Sequence, residues 1–401
     1  MKINNKIIGI LTTSHDYNSL ININEQLYEE ILKKFNYLYI IDLSKLLIVK
    51  KKEKKIFSKK TNVKYFVPKN YNELVDFFSK KKLIAFNCLG TDFNYYRIFY
   101  TLKKLDLILI LLLNIGYLAN SVEINSNGIK NLFFSTIFKL KKTFSKKIYR
   151  VLSILNIFPR IDYYFDTSKK IINNINNSKI NLIEKKFSFL KTSYFKKPIL
   201  INSRSYDKIR KVKFISNKYI SFIDSQIDHI DRIKREGKIN KKIIINYYKL
   251  INKLLSEFKK KYKKQVVICI HPANNSKLIK QYLSNFLIKK HQTFRYIKQS
   301  HTVLFHDSSA ALDAILLNKN LVSLETKFLG DYLSKRTKNY IQILGLFSIN
   351  LDSFNRLDKK DINKLSSISK KKMKAYISDY LKADGNNLGY KKVINVINKI
   401  S

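Results

Sequence analysis

Short apolar runs alternate with segments of helical spacing along the whole chain. KIIGILTTSH (6–15) is followed by NEQLYEEILKKF (24–35), whose apolar residues recur at helical spacing. Further strand-like runs are YLYIIDL (37–43), VKYFVP (63–68), KLIAFNCLG (82–90), LDLILILLL (105–113) and RIDYYFDTS (160–168). Apolar runs of this length between helices are typical of a buried parallel sheet. The first half therefore predicts an open α/β domain.

The second half repeats this alternation. Predicted strands are YISFID (219–224), QVVICIHPA (265–273), TVLFHDS (302–308) and NLVSLE (320–325). Helical patterns fill 243–262, with enough residues for two helices, and also 278–288 and 309–318. The 401 residues exceed the roughly 250 to 300 at which one core stops growing. We expect an α/β protein of two Rossmann-like domains, 1–204 and 205–401, whose parallel sheets face each other across a cleft, with the last helix free to cross back.

The composition restricts the function classes. The net charge of +49 attracts polyanions, but lysine is spread along the whole chain beside abundant Asn, Ile, Tyr and Phe. No nucleic-acid-binding motif accompanies it, so a nucleic-acid partner is disfavoured. Cys88 and Cys269 form no CxxC pair, which argues against a disulfide framework and a cysteine zinc site. Residues 1–18 do not resemble a signal peptide, and we expect a cytoplasmic protein.

Two segments bear on membrane contact. The run 105–119 is shorter than the roughly 20 residues that a spanning helix needs, so we predict a strand running into a loop. The stretch 127–160 carries eight lysines and arginines, no acidic residue, and interleaved apolar side chains. Such a stretch can lie on an anionic membrane surface, which makes peripheral attachment one interpretation. The alternative is helices that pack on the sheet with their lysines in water.

Polar residues follow two of the predicted strands, where ligands bind in open α/β sheets. His271-Pro272 follows VVICI, and an imidazole there can donate a hydrogen bond to a phosphate. Ser308-Ser309 stands between a strand and a helix, next to His306. A serine there is either a simple N-cap or part of an anion site, and Asp313 lies one turn further on, where a carboxylate can reach a ribose.

The run FIDSQIDHIDR (222–232) contains several possible metal ligands, namely Asp224, Asp228, His229 and Asp231. Their irregular spacing is not a recognised metal signature. We therefore predict a loop, with Asp224 contacting the donor or acceptor, and a mechanism without a metal. Helix dipoles and basic side chains can stabilise phosphate charge instead.

The order of these motifs over about residues 218–350 resembles the carboxyl-terminal half of GT-B glycosyltransferases of bacterial surface (capsular and lipopolysaccharide) polysaccharide synthesis. The His271-Pro272 and Ser308-Ser309 pairs are similar to the HP and serine-pair motifs of bacterial sialyltransferases and polysialyltransferases. The resemblance implies a nucleotide-sugar donor site in 205–401, with His271, Ser308 and Ser309 near the donor phosphate, and an acceptor-side domain in 1–204.

The resemblance has gaps in the first domain. The Asp-Asp-Gly or Glu-Asp-Gly motif that supplies the base in sialyltransferases is missing, and so is the Glu-x7-Glu pattern of many retaining enzymes. Candidates for the general base are instead His15, Asp16 and Asp92, each of which follows a predicted strand.

We therefore expect sugar transfer from a nucleotide-sugar donor to a hydroxyl of a surface polysaccharide or lipid-linked glycan, with no cofactor. Two alternatives stay open at this point: a sugar-nucleotide epimerase of the same fold, and a non-catalytic scaffold at the membrane surface.

Overall fold

The computed structural model describes residues 6–14, 16–47, 57, 60–79, 82–89, 95–105, 107–114, 148–149, 151–180, 195–228, 233, 239–271, 277–358, 370–383, 385 and 387–400. These residues divide into two compact units. The first contains the described residues up to Asn114, those from 148 to Arg204, and those from Ala383 onward. The second contains the described residues from Ser205 to Lys382.

The first unit is built on a sheet of seven described strands, all parallel, in the order β3-β2-β1-β4-β5-β6-β7. The strands are β1 (Lys6–Thr12), β2 (Leu38–Asp42), β3 (Val63–Phe66), β4 (Lys82–Asn87), β5 (Leu107–Leu113), β6 (Ile161–Asp166) and β7 (Phe195–Leu200). The order reverses at β1, which lies between β2 and β4. Such a reversal opens a crevice at the carboxyl ends of the central strands.

The second unit has six described strands, again all parallel, in the order β10-β9-β8-β11-β12-β13. They are β8 (Tyr219–Ile223), β9 (Gln265–Ile270), β10 (Leu287–Lys290), β11 (Ser300–Phe305), β12 (Asn320–Glu325) and β13 (Phe347–Asn350). Counted within this unit, the order is 3-2-1-4-5-6, the arrangement of dinucleotide-binding sheets. The expected α/β class with two parallel sheets is confirmed.

Helices connect these strands. They are α1 (Tyr17–Ile23), α2 (Glu25–Leu32), α3 (Tyr71–Phe78), α4 (Tyr96–Lys103), α5 (Lys169–Ile180), α6 (Arg204–Ile209), α7 (Lys241–Tyr262), α8 (Lys277–Leu283), α9 (Thr293–Lys298), α10 (Ala311–Leu316), α11 (Gly330–Leu344), α12 (Lys370–Tyr380) and α13 (Gly389–Ile400). Residues 151–154 are also helical. Across the described residues, no helix has both the length and the apolar character needed to span a bilayer.

Each sheet is buried on both faces, which explains the continuous apolar runs of the sequence. Along β1, Ile7 and Leu11 belong to one apolar cluster, whereas Ile8 and Ile10 belong to the cluster on the other face. In the second unit, α7 covers one face and buries Tyr247, Ile251 and other residues of its apolar stripe against β8, β9 and β11. Helix α13 belongs to the first unit and packs on its sheet through Val393 and Ile397.

The structure differs from the sequence-based expectation in three connections. The pattern over 243–262 forms one continuous helix, α7, with no break. The predicted helix over 278–288 was wrong at its end, because α8 stops at Leu283 and the chain enters β10 at Leu287. The polar passage 198–217 includes the end of β7 and all of α6.

Gly389 lies where α13 meets the backbone of Asn202, whose side chain also bonds to the carbonyl of Asn387 and the N–H of Ala383. A Cβ at position 389 would clash with the Asn202 carbonyl, which is backbone and resists displacement. We predict that Gly389→Ala lowers the free energy of unfolding by about 1–3 kcal/mol, measured by urea denaturation. Lys391→Ala, on the exposed side of the same helix, is the control and should change stability by less than about 0.5 kcal/mol.

Candidate functional site

The carboxyl ends of the central strands in the second unit carry a group of polar residues. Because the strands are parallel, their carboxyl ends lie at one edge of the sheet. The end of β8 lies between the ends of β9 and β11, and the backbone N–H of Asp224 donates to the carbonyl of Cys269 at 3.1 Å. The segments that follow these three strands, 224–226, 271 and 306–309, therefore define the candidate site.

His271 is the most exposed imidazole of this edge. Its Nδ1 lies 2.6 Å from Nε2 of Gln226. An amide nitrogen is a donor only, so Nδ1 accepts and the proton of the neutral ring is on Nε2. The exposed ring thereby offers an N–H donor, the group that a phosphate oxygen requires.

Gln226 holds this position through an unusual backbone. It is buried, and its φ of 53° lies in the left-handed region, which is uncommon for residues other than glycine. A side chain held in this way has little freedom to leave the imidazole. Gln226 was not singled out from the sequence, because its contact with His271 joins positions 45 residues apart.

Asp224 and Ser225 directly precede Gln226 in the loop that follows β8. Both are buried directly after β8. The hydroxyl of Ser225 has no hydrogen-bond partner within the described part of the chain. An unpartnered buried hydroxyl is uncommon in proteins and is consistent with a site that a ligand or a water completes.

His306 is placed differently from the sequence expectation of a substrate-binding residue. It is fully buried, its Nδ1 bonds to the carbonyl of Leu324 at 2.5 Å, and its Nε2 contacts the hydroxyl of Tyr247 at 3.0 Å. The Nδ1–H donates to the carbonyl, so Nε2 accepts from Tyr247. His306 therefore connects the end of β11 to β12 and to α7, and these bonds fix the start of the turn that follows β11.

Asp307 is buried and pairs with Arg336 of α11, with 2.8 Å between Oδ1 and Nη2. Tyr340, one turn further along α11, is buried beside this pair. Burial, with smaller contributions from Tyr376 and Asp307, raises the pKa of the Tyr340 phenol well above its ordinary value, while Arg336 opposes the rise. The pair fixes the start of the 307–310 turn against α11, and Arg336 was not singled out from the sequence.

Ser308 and Ser309 form the turn before α10, but the helix is capped differently from the expectation. Ala310 is the N-cap residue, and the hydroxyl of Ser308 accepts from its N–H at 3.2 Å. The N–H groups of the next three residues bond to carbonyls within the same turn. Ser309 is exposed whereas Ser308 is half-buried, so the Ser309 hydroxyl is the more accessible of the two to a ligand.

Asp313 faces α6. Its carboxylate is buried, with Oδ2 at 3.4 Å from Nζ of Lys208. The same ammonium lies 3.4 Å from the centroid of the Phe294 ring. Asp313 therefore joins α10 to α6, which is a different setting from the ribose contact expected from the sequence.

The first unit has its own set of polar strand ends. After β1, the N–H of Asp16 donates to the hydroxyl of Ser14, and Asp16 is half-buried. At the end of β2, the buried carboxylate of Asp42 accepts from the hydroxyl of Tyr17 at 2.5 Å. Burial first, then this carboxylate, raises the pKa of Tyr17 well above its ordinary value. Asp42 was not predicted from the sequence.

Several predicted residues lie outside the described residues. These are His15, Asp92, Pro272, His229 and Asp231. Within the described ranges, no group of three or more His, Cys, Asp or Glu side chains is arranged to hold a metal ion. Asp16 is thus the candidate base of the first unit whose surroundings are described.

Comparison with known proteins identifies the fold. No protein-family model and no curated protein match the sequence. The wall teichoic acid polymerase TagF aligns over 99% of this chain and 89% of its own, with 13% identity and a TM-score of 0.52. Arabidopsis thaliana UGT89C1, solved with UDP, aligns over 98% of both chains with 9% identity and a TM-score of 0.50.

A UDP-GlcNAc 2-epimerase from Methanocaldococcus jannaschii aligns over 98% of this chain and 99% of its own, with 13% identity and a TM-score of 0.49. The first two similarities, with the two parallel sheets, show that the chain has the GT-B fold.

The pair Gln226 and His271 yields a prediction that needs no substrate. In the unmodified protein we expect neutral His271 to carry its proton on Nε2, because Gln226 donates to Nδ1. Gln226→Glu replaces that donor with an acceptor and should move the proton to Nδ1, whereas Gln226→Ala should leave a mixture. Long-range ¹H–¹⁵N NMR of the imidazole distinguishes these states. An Nδ1–H form in the unmodified protein would contradict the assignment.

Proposed function

We propose that this protein is a glycosyltransferase that moves a sugar from a nucleotide-sugar donor to a hydroxyl of a surface polysaccharide or lipid-linked glycan. The observation that carries the proposal is the exposed His271, with its Nδ1 fixed by Gln226, at the central strand ends of a GT-B unit. In open α/β sheets this edge is where nucleotides bind. The site offers hydrogen-bond donors for a phosphate group.

The donor would be held by the second unit. The Nε2–H of His271 would donate to the phosphate that leaves the sugar, and the exposed hydroxyl of Ser309 would donate to the same group. Asp224 and Ser225 would contact the nucleotide from the end of β8. His306 and Asp307 would act indirectly, by fixing the turn that carries Ser309.

The reaction needs one base and one leaving group. The acceptor oxygen attacks the anomeric carbon and forms the new C–O bond, while the bond from that carbon to the phosphate oxygen breaks and its electron pair stays with the nucleotide. The proton of the acceptor hydroxyl passes to a base of the first unit, for which we propose His15, Asp16 or Asp92. His271 stabilises the charge that develops on the phosphate.

Two observations bear on which nucleotide the donor carries. The HP and serine-pair resemblance favours a CMP-linked, sialic-acid-like donor, whereas UGT89C1 of the same fold is complexed with UDP. A capsule or lipopolysaccharide product is part of the same proposal. A sugar-nucleotide epimerase of this fold would use such a site without an acceptor, and it would isomerise the donor with no transfer.

We predict that one of CMP, CDP, UMP, UDP or GDP stabilises the protein. A ligand at 100 times its Kd adds about 2.7 kcal/mol of stability, or roughly 5–10 °C in Tm for a domain of this size. The shift should disappear with His271→Ala and shrink with Ser309→Ala. Differential scanning fluorimetry measures it, and CMP alone would point to the sialic-acid-like donor.

Ser256→Ala is the control, because Ser256 is exposed on α7 and bonds only locally to Asn252. It should leave the shift unchanged. The proposal fails if none of the nucleotides stabilises the protein, and the scaffold alternative would then be preferred. Donor isomerisation without transfer would select the epimerase.

The first unit carries a surface suited to an anionic membrane. Lys103 of α4 contacts Asn156 at 2.6 Å, which joins α4 to a loop whose Leu155 is 62% exposed. Tyr100, 52% exposed, lies on the same helix, with Lys104 over its ring. We call this the α4 patch, defined by Tyr96, Tyr100, Lys103, Lys104, Leu155 and Ile157. Exposed apolar side chains beside cations are typical of interfacial binding.

We propose that the α4 patch attaches the enzyme to the inner face of the membrane, near a lipid-linked acceptor. The basic residues 130–147 of the sequence lie outside the described residues. Each lysine near an anionic surface contributes about 1 kcal/mol, so Lys103→Gln with Lys104→Gln should weaken binding to phosphatidylglycerol vesicles about tenfold or more.

Vesicle flotation measures this binding. The matched control is Lys259→Gln with Lys260→Gln, which removes the same charge from the exposed side of α7 in the second unit. Equal losses in both double variants would show attraction by net charge alone and would refute the α4 patch.

A further inference from the structure

A pocket lies at the amino-terminal ends of the strands of the second sheet, whereas the candidate site lies at their carboxyl ends. It has a volume of about 290 Å³ and is bordered by His301 at the start of β11 and Asn320 at the start of β12. Asn217, Asn318 and Lys319 complete its polar lining. Because β11 rises about 3.3 Å per residue, its length of roughly 20 Å separates this pocket from Ser309. A ligand here would not touch the nucleotide site.

Lys319 is the unusual residue of this pocket. It is 5% exposed, and its Nζ donates to the carbonyl of Ser216 at 2.8 Å and to Oδ1 of Asn217 at 3.2 Å. Both partners are neutral, and no carboxylate of the described chain forms an ion pair with Lys319. Burial accordingly lowers the pKa of Lys319 to about 8.

His301 lies in the same positively charged surroundings as Lys319. Its Nδ1 lies 2.8 Å from the hydroxyl of Thr302, and the centroid of its ring lies 5.3 Å from that of the tilted Tyr262 ring. Burial first, then the charges of Lys264 and Lys319, lowers the pKa of His301. The pocket therefore combines a positive potential with amide donors and lacks a described counter-charge.

We propose that this pocket binds a small tetrahedral oxyanion, such as inorganic phosphate or the phosphate group of a small metabolite. Lys319 would supply the charge, since its ammonium has a third proton beyond the two hydrogen bonds it already makes. The amides of Asn217, Asn318 and Asn320 would donate to the remaining oxygens. This site does not depend on the function proposed above.

The proposal implies that binding is linked to protonation. The anion requires the charged form of Lys319, so binding is strong below pH 8 and is lost as the pH rises through that value. Of the described titratable groups, His301 interacts with Lys319, and His301 also interacts with Lys264 and lies against the Tyr262 ring. Because burial lowers the pKa of His301 and raises that of Tyr262, both are neutral between about pH 7 and 9.5.

The test is isothermal titration of the full chain with sodium sulfate at constant ionic strength. Sulfate keeps its charge across this pH range, so any change in affinity belongs to the protein. We expect affinity at pH 9.5 to be at least tenfold weaker than at pH 7. Lys319→Met should cause a similar loss at pH 7.

Asn217→Asp provides a variant that should retain the fold. It places a carboxylate beside the Lys319 ammonium, which stabilises the charged lysine and repels the anion. Sulfate affinity should fall at least tenfold without loss of thermal stability. Lys218→Met removes an exposed lysine next to this loop and should change affinity less than twofold.

The proposal is overturned if Lys319→Met and Asn217→Asp bind sulfate like the unmodified protein. It is also overturned if Lys218→Met loses as much affinity, since the net charge of +49 would then explain the binding. Titrations with inorganic phosphate and with glycerol 3-phosphate distinguish the two ligand sources, because tighter binding of the latter indicates an organic phosphate. Neither outcome depends on nucleotide binding.

Discussion

The central strand of the second sheet, β8, fixes the arrangement on which the candidate site depends. It pairs with β9 on one side and with β11 on the other, in parallel throughout. A parallel sheet buried on both faces leaves its strand ends as the places where polar side chains can reach a ligand. This constraint brings Gln226 to His271 and sets the turn of Ser308 and Ser309 on the next strand. The arrangement of the site therefore follows from strand order, although its residues are up to 85 positions apart in the sequence, from Asp224 to Ser309.

The polar residues of this edge divide into those that face outward and those that support them. His271 and Ser309 are exposed, whereas His306 and Asp307 are buried and already bonded within the protein. Buried polar groups are costly unless they are paired, so their pairing fixes one geometry for the turn above them. Electrostatic stabilisation of a leaving phosphate requires hydrogen-bond donors that are held in a fixed position, and the buried, paired residues His306 and Asp307 fix the turn that carries Ser309.

Much of the fold could be predicted from the sequence, because apolar runs such as IIGIL and VVIC form buried strands. The end of α8 was predicted wrongly, because Leu287 and Ile288 fit the apolar pattern of a helix as well as that of a strand. The spacing of apolar residues does not distinguish a short strand from the end of a helix. Of the candidate site, His271 and the serine pair were singled out from their position after strands, and their contact with a ligand stays a prediction. Gln226, Tyr247 and Arg336 were not, because their roles depend on contacts made only in the folded chain. The burial of His306 was unpredictable for the same reason.

The central claim is that the carboxyl edge of the second sheet binds a nucleotide. Hydrogen–deuterium exchange of the full chain, with and without a saturating nucleotide, tests it most directly because it locates the ligand. We expect slower exchange in peptides that contain 224–226, 271 and 306–310, with little change in peptides that contain 301 or 317–320. Protection confined to the amino-terminal edge, or to no peptide of the second unit, would contradict it.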